Sequence, residues 1–402
     1  MQLNGSVPQI LAWVIVLSQI LWILPFSEEW PIYRIGLAVA ACFFIYAIRK
    51  KLLTHNDIVL LVALLIIPSI WFIMEAAIAA NVQIFKTAIV YSLFIISGFT
   101  LYKCCSLAYL CKILRIFVLV NLLLIPIWSI NGKIEVYAPA DPRLDRVRVL
   151  NWSGIYQKII VYKDGMQRRF GGFTRNPNIL GSLAFLGSIG LFVNKTMRSQ
   201  KVLWAMTFII ALWLTQSRGT LFLLAIFAIV SALATIEKKA YRMLIISAMV
   251  GLGGIILALM SHLRLNDDIT SGRLSHWRLA LSTLDSHSVW LGFGYNQSYG
   301  VLKKVLNVSY GIDNTYLTML IEHGIIGALV LFACLLFAVM YAYHSAKVAS
   351  KKKKAIYGAF FLAWFVYSVF ETTLYKNVFD QTFVTFFILD YSNGGNSIYR
   401  SG

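Results

Sequence analysis

The chain has 402 residues, 59% of them hydrophobic, and a formal net charge of +19. A soluble domain is roughly half apolar; here the mean hydropathy is +0.73 and apolar runs of about 17–25 residues recur, which reads as a polytopic membrane protein. The same reading removes nucleic acid as the explanation of the excess charge, because cytoplasmic loops of membrane proteins collect Lys and Arg.

Length and hydropathy predict about twelve transmembrane helices. They lie near 8–26, 31–48, 57–75, 84–102, 112–130, 177–194, 202–217, 219–236, 243–262, 325–344, 355–371 and 380–392. No small-residue cleavage site follows the first run, which is therefore expected to be retained as a helix. The fold class is an all-α integral membrane protein with two long periplasmic loops. Its segments are the N-terminal membrane helices (1–130), a periplasmic loop (131–176), the central membrane helices (177–262), a large periplasmic loop (263–324) and the C-terminal membrane helices (325–402).

Basic residues set the orientation. With both termini cytoplasmic, the inner loops hold Arg49, Lys50 and Lys51, then Lys103, Lys112 and Arg115, then Lys195, Arg198 and Lys201. They continue with Lys238, Lys239, Arg242, Lys347 and Lys351 to Lys354, whereas the short outer loops hold only Arg34, Lys86, Arg218 and Lys376. That asymmetry is the positive-inside pattern. No cysteine falls in a predicted outer segment, so no disulfide framework is expected. The spans read as mostly free of ionisable groups, with polar residues gathered at one face.

The two long outer loops break the pattern. The first carries Arg143, Arg146, Arg148, Arg168, Arg169 and Arg175 among other basic residues, and the second carries Arg264, Arg273, Arg278, Lys303 and Lys304. A cationic outer face suits an anionic ligand; a solvated surface without a ligand is the plainer alternative. The stretch PADPRLDRVRVLNWSGIYQ is mixed in sign and rich in β-formers, and suits a short hairpin. Farther on, TQSRG joins two spans almost without a loop. It leaves Arg218 at the hydrocarbon edge, where it either snorkels or serves a site.

Three constellations stand out. In RRFGGFTRNPNILG, Pro177 suits the first turn of a helix and Asn176 its N-cap. That helix start, with Arg168, Arg169, Arg175 and Asn178, makes an anion site or an ordinary basic-flanked terminus. In SGRLSHWRLAL, Arg273 offers a fixed fork of donors for phosphate oxygens. Trp277 suits an interfacial anchor, and Arg278 follows it. In DNTYLTMLIEHGIIG, Asp313 and Asn314 suit a helix cap, yet a carboxylate at the outer mouth also suits proton removal from a hydroxyl. Gly324 and Gly327, one turn apart, allow close helix packing. Glu322 and His323 are expected to face the bundle interior, paired with an Arg. The acidic pairs Glu28–Glu29 and Asp267–Asp268 read as solvated loops.

The ordered set RFGGFTRNPN, LTQSRG, SGRLSHW, GFGYN and DNTYLTMLIEHGIIG resembles the O-antigen ligase and polymerase superfamily, mainly over residues 165–345. The resemblance implies a GT-C-like glycosyltransferase architecture in the bacterial inner membrane. It implies that Arg169, Arg218 and Arg273 hold the diphosphate of an undecaprenyl-linked oligosaccharide, with Arg168, Arg175, Asn176, Asn178, Arg278 and Asn314 binding substrate. The ligase motif is His, then Asn, Ser or Gln, nine residues, then Gly-x-x-Gly. Asn314, Gly324 and Gly327 fit that motif, but Asp313 stands in place of the His. This departure favours a polymerase that moves a growing glycan from undecaprenyl diphosphate onto a lipid-linked repeat unit. The alternatives are a ligase using lipid A core and, less favoured, a transporter of lipid-linked sugars.

Asp313 is the expected base. Fixed arginines stabilise the leaving group, so no metal or cofactor is expected; the inverting stereochemistry comes from the resemblance. Membrane lipids are the other expected partners. A protein that regulates chain length would fit the polymerase reading, but the sequence specifies no docking surface for it.

Overall fold

The computed structural model describes residues 6–21, 32–78, 81–123, 133–137, 144–152, 155–162, 165–172, 177–193, 198–215, 217–235, 273–294, 297–298, 300–301, 312–346, 351–369, 371 and 378–393. Helices stand at every predicted span except 243–262, which lies outside the described residues. In chain order they are α1 (Ser6–Leu21), α2 (Ile32–Arg49), α3 (His55–Ile78), α4 (Val82–Cys104) and α5 (Leu107–Leu123). After the first long loop come α6 (Pro177–Val193), α7 (Arg198–Thr215) and α8 (Arg218–Thr235). The short α9 (Arg273–Leu281) and α10 (Ser288–Leu291) precede α11 (Thr315–Ser345), α12 (Lys351–Tyr367) and α13 (Val378–Ser392). Among the described residues, α3, the Ile84–Cys104 part of α4, and α11 are long and apolar enough to cross a membrane.

The all-α expectation holds for the membrane helices and fails for the first loop. Residues 133–172 form a four-stranded antiparallel meander of β1 (Lys133–Tyr137), β2 (Leu144–Trp152), β3 (Ile155–Tyr162) and β4 (Gly165–Gly172). The expected hairpin is real but is half of the sheet. Runs such as IYQKIIVY carry the β-branched and aromatic residues that strands favour. Only two residues separate β2 from β3 and β3 from β4, and such short connections join antiparallel neighbours.

The chain divides into two compact units. One comprises Met1–Ile58, Leu93–Leu224 and Thr382–Gly402; the other comprises Val59–Ser92 and Ala225–Gln381. In the first, small residues let helices touch: a Cβ on Gly36 would fall on the Ser18 hydroxyl, and one on Gly98 would meet the Thr382 carbonyl at 2.5 Å. The Thr382 hydroxyl returns a hydrogen bond to the Phe94 carbonyl at 3.2 Å, and Thr100 donates to the Ala40 carbonyl at 3.2 Å.

The start of α3 is closed by a reciprocal cap. The Thr54 hydroxyl accepts from the Asp57 N–H at 3.2 Å, and the Asp57 carboxylate accepts from the Thr54 N–H at 2.7 Å. The same carboxylate oxygen takes the Lys103 ammonium at 2.6 Å, with both side chains buried. That ammonium also lies 4.9 Å from the centre of the Tyr102 ring. The pair joins the first turn of α3 to the last turn of α4.

In the second unit, Pro68 interrupts α3. It has no N–H to give to the carbonyl four residues back, that of Leu64. The helix widens into a π segment, Val62–Ile66, where the Ile67 N–H reaches the Val62 carbonyl. The carbonyl of Leu64 accepts instead from the Tyr91 hydroxyl at 3.1 Å. The interruption is thus satisfied from a neighbouring helix rather than left as an orphan.

Candidate functional site

The sequence-derived site residues fall into both units. In the second unit, α9 packs against the N-terminal part of α11. Ala280, Ile312, Leu317 and Ile321 are buried together, and Trp277, Leu284, Phe293 and Leu320 pack on them. Arg273 opens α9 and Asp313 adjoins Ile312, so these two predicted residues stand on elements that share one apolar core. The indole N–H of Trp277 is buried there without an acceptor. Arg278 is exposed in the last turn of α9.

The head of α11 separates two roles that sequence alone left joined. Asn314 is the N-cap: its side chain accepts from the Leu317 N–H at 2.9 Å, and it is 8% exposed. Asp313 is exposed and does not supply that cap. The helix head is held by α12 and the residues after it. The Thr315 N–H donates to the Ser368 carbonyl at 2.8 Å, its hydroxyl to the Glu371 carbonyl at 2.8 Å, and the Tyr316 hydroxyl to the Phe365 carbonyl at 2.7 Å.

Helix α11 begins at Thr315, so residues counted with the outer loop are already helical, and it breaks at Gly324. There φ is +61° and ψ is −172°, a backbone state that essentially only glycine adopts. The carbonyls freed at the break are met by Trp290–Gly294: the Phe293 N–H donates to Ile321 at 2.9 Å and the Gly294 N–H to Glu322 at 2.7 Å. The approach is so close that a Cβ on Gly324 would sit 2.2 Å from the Trp290 carbonyl.

Glu322 and His323 face inward, fully buried. The Glu322 carboxylate accepts from the Ser298 N–H at 3.1 Å and the Ser298 hydroxyl at 2.6 Å. His323 Nδ1 lies 2.5 Å from Glu75 Oε1 on α3. Trp71 donates its indole N–H to the same oxygen at 2.6 Å, and Trp71 fits there because Gly327 has no side chain. Neither Glu75 nor Trp71 belongs to any motif that the sequence made conspicuous.

Before α11, the Asp285 carboxylate closes a turn by accepting from the Ser288 N–H at 2.7 Å, the Ser288 hydroxyl at 2.7 Å and the His287 N–H at 3.0 Å. Those donors, the Ser288 backbone first, hold its carboxyl below the ordinary value of 3.8.

In the first unit, β4 leads to α6. Arg168 and Arg169 sit on β4, paired in register with Ile159 and Lys158, and Phe170 beside them is 3% exposed. Pro177 opens α6 as expected; Arg175 and Asn176 lie outside the described residues. Asn178 accepts from the Ser217 hydroxyl at 3.1 Å. Ser217 caps α8 through the Thr220 N–H at 3.3 Å, and Arg218 is the first residue of that helix. The sequences RNPNILG and TQSRG are therefore joined by a hydrogen bond.

The guanidinium groups of Arg169, Arg218 and Arg273 lie outside the described side chains. Arg169 and Arg218 belong to the first unit; Arg273 and Asp313 belong to the second. Among the described residues, no group of three or more His, Cys, Asp or Glu is placed to hold a metal ion.

Apolar helices of spanning length, with ion pairs buried between them, fit a helical membrane protein. Residues 202–332 match the family described as O-Antigen ligase, consistent with the ligase and polymerase superfamily. No curated protein matches the chain. The matched segment contains Arg218, Arg273, Asp313 and the broken head of α11, and it points to ligase- or polymerase-type glycosyl transfer.

Proposed function

We propose that the protein is a polysaccharide polymerase working at the periplasmic face of the bacterial inner membrane. It transfers a growing glycan from undecaprenyl diphosphate to the sugar of a lipid-linked repeat unit. The observation that carries this reading is the head of α11 within the matched segment. Asn314 supplies the cap there, and the carboxylate of Asp313 stands exposed where the ligase motif has a His.

In the proposed reaction the acceptor hydroxyl attacks the anomeric carbon. The new C–O bond forms as the bond to the diphosphate breaks, and the leaving group takes the electron pair. Asp313 accepts the hydroxyl proton. Arg169, Arg218 and Arg273 neutralise the charge that grows on the diphosphate, while Arg168, Arg175, Asn176, Asn178, Arg278 and Asn314 bind the substrate. Attack from the face opposite the leaving group inverts the anomeric centre.

The test is purified protein in proteoliposomes given only undecaprenyl-diphosphate-linked repeat units. A ladder of extended glycans is expected. Product that forms only when lipid A core is added would replace this reading with a ligase.

A second reading, transport of lipid-linked sugars, gains from the buried Asp57–Lys103 and Glu75–His323 pairs, since ionisable groups inside spans mark transport pathways in many proteins. Movement of labelled repeat units between leaflets without chain extension would favour it.

A further inference from the structure

The chemistry above leaves the Glu75–His323 pair unused. An ionisable pair at membrane depth is costly unless each charge is matched. Here a carboxylate on α3 and an imidazole on α11, 248 residues apart in sequence, meet at 2.5 Å. The side chain of His323 is fully buried and that of Glu75 nearly so, at 7%. Trp71 adds a second donor to the same oxygen, and Phe72 lies against the imidazole with ring centres 5.3 Å apart. The other carboxylate oxygen of Glu75, Oε2, is buried without a hydrogen-bond partner.

The pair sits one residue before the break at Gly324. The segment Thr315–His323 is thereby a short helix of its own. Its inner end is clamped by α3 through His323 and by the Phe293 and Gly294 N–H groups; its outer end carries Asn314 and Asp313.

We propose that Glu75 and His323 are a positioning pair for the transfer site: their hydrogen bond sets the depth and tilt of the Thr315–His323 segment and so places Asp313 and Asn314. This rests on the polymerase reading for its catalytic consequence. The clamp itself is open to test without activity.

The experiment compares the wild type with Glu75→Gln in lipid nanodiscs, reading amide hydrogen exchange and chain extension. The amide of Gln cannot match the charge-assisted bond, so exchange at 317–323 and 290–294 should rise about ten-fold or more, with 55–61 at the start of α3 unchanged. Turnover should fall about ten-fold with KM for the repeat unit held within about two-fold, because every proposed binding group except Asn314 lies outside the Thr315–His323 segment and its cap. Unchanged exchange at 317–323 would overturn the clamp. A rise in KM alone would overturn the positioning role. Should the wild type extend nothing, the polymerase reading fails while the exchange result still decides the clamp. If Glu75→Gln does not fold, Trp71→Phe removes only the second donor, and the same changes should appear at smaller size; their absence would sink the proposal.

Discussion

The two regions that carry the candidate residues rest on different supports. In the first unit, Arg168, Arg169 and Arg218 are borne by a strand and a helix start, fastened by neutral groups: the buried Phe170, the Asn178–Ser217 hydrogen bond and the Ser217 cap. In the second unit, Asp313 and Asn314 are borne by a helix that breaks at Gly324 and is braced by the buried His323–Glu75 pair. Neutral fastening tolerates loss of one bond at modest cost, because only a hydroxyl or amide is stranded. Charged bracing does not, because losing one partner strands an ion in an apolar layer. The second region is therefore the more exacting of the two.

The sharpest way to break that comparison is Gly324→Ala. The new Cβ would be forced into a glycine-only backbone state and against Trp290, so a loss of about 4 kcal/mol or more is expected. Unfolding in detergent micelles would read it, and a loss below that of a simple cap would mean the break is loosely built.

Asp57→Ala tests whether the first unit owes anything to charge. It strands the Lys103 ammonium and opens the Thr54 cap, and should cost about 3 kcal/mol in the same measurement. If it costs no more than the cap substitutions below, the first unit is neutral throughout.

Ser217→Ala and Asn314→Ala then compare the starts of α8 and α11 directly. Each removes one N-cap and should cost about 1 kcal/mol. On the present reading Asn314→Ala also slows chain extension more than its stability cost explains, since it adjoins Asp313.

The smallest effect is expected from Asp285→Asn. Its carboxyl titrates below the ordinary value in the folded chain, so the stabilisation it lends is present above about 3.8 and is lost as pH falls through the lower folded value. The variant should match the wild type in acid and be slightly weaker near neutrality, as read by unfolding against pH.

Much of this was legible in the sequence. Spans follow from apolar runs, and Pro177 and Asn314 announce helix starts because their chemistry suits a first turn and a cap. The nine-residue spacing from Asn314 to Gly324 also had a physical meaning: it is the length of the segment between the cap and the break. What stayed hidden depends on residues far apart in the chain. Glu75 belongs to no motif in its apolar run, and only its meeting with His323 gives it a role. The sheet was half seen because β1 is short and β4 carries charge and glycine, whereas β2 and β3 are richer in β-branched and aromatic residues.

The widened turn at Val62–Ile66 sets the phase of everything after it in α3. Each residue of an ordinary helix advances about 100° around the axis. Excising a single residue there would swing Trp71 and Glu75 about a quarter turn away from His323 and toward the lipid. The π turn ahead of Pro68 is thus the gear that meshes α3 with α11, and the aim of a carboxylate is decided about two turns before it appears.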